Sequence, residues 1–450
     1  MHRGREAEDD AWWDIRHPAT QLSVLLAIAA ALGGGGSQYP FHNLAVQLTA
    51  LAVLAANRAR VVLFLREAPR VLVALTAISL FLPLLQTVPL PPALWQALPG
   101  RGVIAESLTL AGWGTDRWMP FSLDPARSLL AFFAAIVPAT MIALGWSLSM
   151  QERLRLGHVA IGAALAGLVL GAVQLASANT SAILFDDPVR RDVLYGVFAN
   201  RNSAGLSFVI AIAFLLALPR PADRLRAWGM FACSAVLALG VLLTQSRSAI
   251  VLLLPVLVLA AMRAAVGRPK ARQARSRSLA LGIGAAGVLA VAAVLTAPPG
   301  NRIETSLGRF ATIETDRLGM WEDTAYAARQ YAPMGAGTGV FKDVFQLHES
   351  LEHVSERRAG RAHNDWLELA LENGAAGLAL AVAWLATLAA LARRRWQAGF
   401  RWQAAGGGMT IAVIAAQSVL DYPLRSLSLL AMAAMAVILL LPERRFAGER

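Results

Sequence analysis

The stretch RAHNDWLELALENGAAG, residues 361–377, sets a histidine and several carboxylates just ahead of a long apolar run. His363 carries the side chain whose ordinary pKa lies nearest neutrality, which suits it to take a proton from a hydroxyl. A hydrogen-bonded structural histidine fits the same spacing. If a helix starts at Asn364, then Asn364, Glu368 and Glu372 follow at i, i+4 and i+8 and share one face. Those carboxylates are either a solvated face or a grip on a basic partner. Two further segments place a guanidinium beside an apolar run. In LLTQSRSAIVLLLPV, Arg247 stands between Ser246 and Ser248 where two apolar segments meet almost without a loop. An arginine there costs less than the about 2.5–3.5 kcal/mol of a helix centre, and it persists by snorkelling, by pairing or by holding an anion. Serines at a helix start add donors that suit a phosphate oxygen. In YGVFANRNSAGLSFVI, Arg201 and Asn202 precede another apolar run. Asn202 or Ser203 reads as the helix cap, and Arg201 as a second guanidinium for the same anion.

These residues need elements to position them, and the composition says what kind. The 450-residue chain is 56% hydrophobic and only 16% charged. A soluble chain carries about a quarter charged residues. Apolar runs recur at about the ~20-residue length that crosses ~30 Å of hydrocarbon as a helix. The reading is an all-α polytopic membrane protein of about twelve spans, near 18–34, 41–56, 71–88, 127–150, 156–178, 203–218, 227–245, 248–266, 278–297, 367–392, 403–420 and 424–441. Residues 1–297 hold the first nine spans behind a polar N-terminus, 298–366 form a long external loop, and 367–450 hold the last three. Continuous runs exclude a β-barrel, whose strands alternate. No cleavable signal peptide is evident, and the lone Cys233 permits no disulfide framework.

The formal charge of +12 does not point to nucleic acid, because its location follows topology. Arginines crowd alternate connections, and Arg263–Arg277 alone holds six basic residues. The positive-inside rule puts these connections and both termini in the cytoplasm, with anionic lipid as their partner. The basic residues left in the short external connections are Arg190, Arg191, Arg201, Arg247 and Arg425, and each needs a reason to be there. Within the long loop, Asp316–Gln330 reads as an interfacial helix. Gly335, Gly337 and Gly339 read as a tight turn, since no strand precedes them and no Gly-Lys-Ser/Thr follows. His348, His353 and His363 follow no metal-ligand spacing.

Taken in order, NRNSAG, TQSRSA, DRLGMWEDTA…PMGAGTGVF and HNDWLELALENGAAGL resemble the O-antigen ligase and polymerase superfamily of bacterial integral membrane glycosyltransferases. The resemblance covers roughly residues 195–380. It implies an enzyme in the bacterial inner membrane with its active site facing the periplasm. The implied donor is a glycan on undecaprenyl diphosphate. The implied acceptor is a hydroxyl of lipid A–core in a ligase, or of a growing surface polysaccharide or repeat unit in a polymerase. The transfer it implies inverts the anomeric centre and uses no metal, nucleotide or other cofactor. By the same resemblance His363 activates or orients the acceptor hydroxyl and Arg317 belongs to the pattern, while the charge of the implied leaving diphosphate assigns Arg247 and Arg201 to it. Asn202, Ser246 and Ser248 flank the arginines, and Asn364, Asp365 and Glu372 support the loop. No large soluble C-terminal domain is expected, which disfavours transfer to protein. A rival of another class is a polysaccharide-lipid flippase, which calls for related halves and broken helices at the midplane.

Overall fold

The computed structural model describes residues 14–180, 184, 191–221, 223–266, 304–354 and 358–443, with residues 304–316 described by backbone alone. Among the described residues it is an all-α bundle with one two-stranded β-ladder. Among the described residues the first four α-helices are α1 (Pro18–Leu32), α2 (Pro40–Ala56), α3 (Arg58–Glu67) and α4 (Arg70–Leu85). A hairpin follows with β1 (Pro89–Leu90), α5 (Pro92–Ala97), α6 (Gly102–Leu110) and β2 (Met119–Pro120). The middle of the bundle is α7 (Pro125–Gly145), α8 (Met150–Ala176), α9 (Arg201–Ala217), α10 (Arg224–Leu243) and α11 (Arg247–Ala265). The long loop contributes α12 (Glu304–Gln330) and α13 (Phe341–His348), and the chain closes with α14 (Asp365–Gln397), α15 (Arg401–Leu420) and α16 (Leu427–Leu440).

Caps fix many of the helix starts. Asp124 accepts from the Arg127 N–H, Asp223 from Arg226, Ser246 from Ala249, and Ser426 from Leu429. Ser149 and Glu152 form a reciprocal capping box on α8. Each such cap is worth about 1 kcal/mol. Among the described residues seven helices are long and apolar enough to cross a membrane, or eight if the bent pair α2 and α3 is one span. The helices α4, α9 and α16 are apolar but shorter. The expected span 278–297 lies outside the described residues; each other expected span overlaps an apolar helix, and the one near 367–392 does so only beyond the break at Gly374.

Burial explains why α9 is short yet apolar all round. Every residue from Ser203 to Ala217 is buried, so α9 is the central helix and meets little lipid. The helix α15 wedges between α9 and α16 through adjacent glycines. A Cβ on Gly406 would lie 2.6 Å from the Ala213 carbonyl oxygen of α9, and one on Gly407 would lie 3.1 Å from that of Ala436 on α16. Small residues permit this close approach, as is usual between membrane helices. By contrast, α10 leaves Trp228, Phe231, Leu239 and Leu242 exposed.

The ends of the helices sort into two faces. At one face buried arginines close the carbonyls that helix ends leave open. Arg153 on α8 donates to the Trp146, Leu148, Ile438, Leu441 and Pro442 carbonyls. Arg263 donates likewise to Leu215, Leu216 and Leu218. Some arginines expected only as topology signals and lipid contacts are thus structural. Two further expectations change. The basic connection after α2 contains the helix α3, and the expected helix Asp316–Gln330 is the second half of the longer α12.

Candidate active site

At the other face the starts of α9, α11 and α14 meet the end of α15. Each start is capped by a residue that belongs to the site. Asn200 caps α9, rather than the expected Asn202 or Ser203, and its side chain accepts from the Asn202 N–H. Ser246 caps α11, and Asn364 caps α14 by accepting from the Trp366 and Leu367 N–H groups. Capping releases Asn202 to face the end of α15.

The centre is Asp421, which ends α15 and is only 2% exposed. His363 Nδ1 lies 3.0 Å from its Oδ1. Asn202 Nδ2 donates to its Oδ2 at 2.7 Å, and Asn200 Nδ2 at 3.2 Å. The chain of polar contacts continues outward: Ser246 Oγ donates to Asn202 Oδ1 at 2.8 Å and lies 3.3 Å from Ser248 Oγ. Arg317 donates to the Leu420 carbonyl at 3.3 Å. Burial alone would push the Asp421 carboxyl up, but the His363 and Asn202 hydrogen bonds and the Arg317 charge hold it below the ordinary carboxylate range. Burial, and then the Asp421 charge, push the neighbouring Tyr422 phenol up to about 12. The Tyr422 ring meets the His363 ring edge-on at 4.9 Å. His363 itself has φ of 50°, the left-handed region that a non-glycine residue rarely holds. Such strain persists only where surrounding contacts fix it, and it is common at functional sites.

A second cluster fastens this centre to the loop. Arg425, in the 3₁₀ turn Pro423–Arg425, reaches Asp365 at 3.3 Å, Glu368 at 3.3 Å and Glu372 at 2.8 Å. These carboxylates lie on one face of α14, and Glu368 and Glu372 are fully buried. Burial opposes the Arg425 charge, yet Glu372, Glu368 and Asp365 more than reverse this and hold the guanidinium above its usual pKa. Arg361 adds a contact to Glu368 at 3.2 Å, and Glu368 also accepts from the Ala362 N–H at 2.9 Å. Glu372 accepts from the Phe341 N–H at 3.3 Å. Asp365 accepts from Ser418 and from the Leu424 N–H.

The glycine turn has a definite use. The helix α14 breaks at Gly374, with φ 55° and ψ −147°. The break opens the carbonyls of the preceding turn, and the Gly335–Gly339 segment fills them. Ala336 N–H donates to Leu371 O at 2.9 Å, and Gly337 N–H to Glu372 O at 2.8 Å. In return Ala375 N–H donates to Pro333 O at 2.8 Å. Gln86 locks the joint, accepting from the Thr338 N–H at 2.8 Å and donating to Asn373 Oδ1 at 3.0 Å. The polar turns 365–373 therefore belong with the loop, and the apolar part of α14 begins beyond Gly374.

The structure thus gathers His363, Asn202, Ser246, Ser248 and Arg317 around Asp421. It places Asn364 as a cap and Asp365 and Glu372 on Arg425. Arg201 and Arg247 are the first residues of α9 and α11, directly beside Asn202 and Ser246; both are half-buried and interact within the protein. Arg190 lies outside the described residues, and the Arg191 carbonyl accepts from Asn179 at 3.0 Å. His348 and His353 are elsewhere, on Tyr331 at 3.2 Å and Asp323 at 2.9 Å. Among the described residues no group of three or more His, Cys, Asp or Glu side chains could hold a metal ion. Sequence reasoning missed Asn200, Asp421 and Tyr422. The signal for Asp421 was its place in DYPLRS, a carboxylate in the short turn between two apolar helices.

Residues 231–382 match the O-antigen ligase family. The match supports the O-antigen ligase and polymerase superfamily, whose members are membrane enzymes of the glycosyltransferase type. It spans Ser246, Arg247, Ser248, Arg317 and the His363–Glu372 segment. Arg201, Asn202, Asp421 and Arg425 fall outside the matched stretch, and the fold brings Asn202 and Asp421 to His363, and Arg425 to Asp365, Glu368 and Glu372. A search of the curated proteins found no match.

Proposed function

We propose that the protein transfers a glycan from undecaprenyl diphosphate to an acceptor hydroxyl at the periplasmic face of the bacterial inner membrane. The observation that carries this reading is the contact of His363 Nδ1 with the buried Asp421, 3.0 Å, within the family that residues 231–382 match. With its proton on Nδ1 and shared with Asp421, the imidazole has its lone pair on Nε2. Nε2 takes the acceptor proton as the acceptor oxygen bonds to the anomeric carbon. The bond from that carbon to the diphosphate oxygen breaks on the opposite side, and its electron pair leaves with the lipid diphosphate. Attack from the face opposite the leaving group inverts the centre.

The leaving diphosphate gains charge as the bond breaks. Cationic side chains aimed at that charge lower the barrier, and arginine can grip phosphate oxygens in pairs. Arg201 and Arg247 take this part, because each begins a helix whose next or preceding residue joins the Asp421 network. Asn202 and Ser246 orient the acidic side, while Arg425 and its carboxylates hold the loop in place. Among the described residues the basic side chains Arg60, Arg153 and Arg263 lie at the opposite end of the bundle, which supports a cytoplasmic assignment for that end and a periplasmic one for His363. The histidine–carboxylate network gathers at helix ends, which favours an enzyme over an alternating-access flippase with a midplane site.

The test uses purified protein, defined undecaprenyl-diphosphate glycans and two acceptors in separate tubes. Product with lipid A–core marks a ligase, and product with repeat units alone marks a polymerase. No glycan transfer in either tube, with lipid translocated instead, would overturn the proposal.

A further inference from the structure

The face opposite His363 carries an exposed helical stripe on α3. The helix has ten residues, RARVVLFLRE, and bends 78° away from α2. The bend is built into the fold. Asn57 at the break is 8% exposed, and its side chain donates to the Val53 carbonyl at 2.8 Å and to Gln21 of α1. Its own carbonyl accepts from the Arg60 and Val61 N–H groups, starting α3 in the new direction. The inner side of α3 is anchored at the end of α7: Phe64 is 2% exposed and meets Trp146 edge-on at 6.3 Å, and Arg60 donates to Ser147 Oγ at 3.0 Å.

The outer side is different. Arg58, Val62, Leu65 and Arg66 stand at i, i+4, i+7 and i+8 and share one face. Arg58 and Arg66 are exposed, and Val62 and Leu65 are 44% and 56% exposed. Residues 58–70 hold four arginines against one glutamate. Exposed apolar residues continue on both neighbours, with Leu48 on α2 and Val71 on α4. We propose that α3 lies in the plane of the membrane surface, with Val62 and Leu65 among the upper acyl carbons and Arg58 and Arg66 on anionic phospholipid headgroups. Ten helical residues reach only about 15 Å, half the hydrocarbon, so α3 completes no span. A re-entrant course would take its arginines into hydrocarbon, whereas a surface course lets them snorkel to the headgroups. The helix then fixes the depth at which the α2–α4 side of the bundle sits.

The full chain with Cys233→Ala, carrying Val62→Cys or Leu65→Cys, is spin-labelled and reconstituted in phosphatidylglycerol vesicles. Collision with oxygen and with a water-soluble nickel chelate then measures depth. The labels at 62 and 65 are expected about 5–10 Å below the headgroups, with an Arg66→Cys label at headgroup level. Labels at 62 and 65 that meet the chelate as freely as a water-exposed loop would overturn the proposal, and so would a label at 66 as deep as that at 62. A second measurement needs no label on the protein. Arg58→Gln with Arg66→Gln lowers selectivity for spin-labelled phosphatidylglycerol over phosphatidylcholine by about fivefold for each arginine removed. Unchanged selectivity would also overturn it.

Discussion

At the scale of single residues, Asp421 and His363 work as a pair with distinct duties. The carboxylate holds the imidazole at 3.0 Å, and in the proposed reaction the imidazole meets the acceptor. His363→Ala therefore lowers transfer by about 10²–10⁴-fold and leaves donor binding largely intact, as single-turnover rates and donor titration will show. Equal loss of both would mark a structural histidine. Arg247→Ala abolishes detectable transfer in a protein that still inserts; full transfer by the inserted variant would remove Arg247 from the mechanism. Asp421 also predicts a pH dependence of stability. Its native pKa is depressed below the unfolded value of about 3.9, so its pairing stabilises the fold above that pH and is lost as pH falls through the lower native value. Wild type is thus more stable than Asp421→Asn at pH 7, and the two melting temperatures converge below about pH 4.

At the scale of elements, the decisive feature is the joint between the loop and the broken helix α14. Arg425 is surrounded by three carboxylates, two of them fully buried. Removing one partner of a buried ionic cluster leaves charge uncompensated. Arg425→Ala is expected to cost about 3–5 kcal/mol, read from thermal unfolding in detergent. An Arg425→Ala variant as stable as wild type would show that the loop is held by other means. The sequence shows why this joint is hard to foresee. ENGAAG reads as an ordinary helix interior, because Gly374 tolerates helical and non-helical backbone alike. Only the arrival of the Gly335–Gly339 turn at the Leu371 and Glu372 carbonyls decides for the break. His363, Asn202 and Ser246 were legible because polar residues beside apolar runs stand out. Asp421 was not, since it meets His363 from 58 positions away and no spacing rule links them.

At the scale of the whole molecule, the apolar runs made the helical bundle legible, because hydrocarbon length fixes span length. The order of inner and outer helices was not legible. Both α9 and α10 read as apolar spans, yet α9 is buried throughout and α10 faces outward. What separates them is packing through α15 and its paired glycines, a tertiary fact. The two ends of the bundle also divide their labour. One end closes helix carbonyls with buried arginines, and the other gathers histidine, asparagine and carboxylates.

The proposed function requires the latter end to be a glycosyl-transfer site. Its most direct test is the rate at which purified wild type and His363→Ala, both shown to be folded and inserted, move glycan from undecaprenyl diphosphate to acceptor. Transfer by wild type, with a loss of at least about 10²-fold in the variant and undiminished donor binding, is the predicted result. Transfer by His363→Ala at the wild-type rate would contradict it.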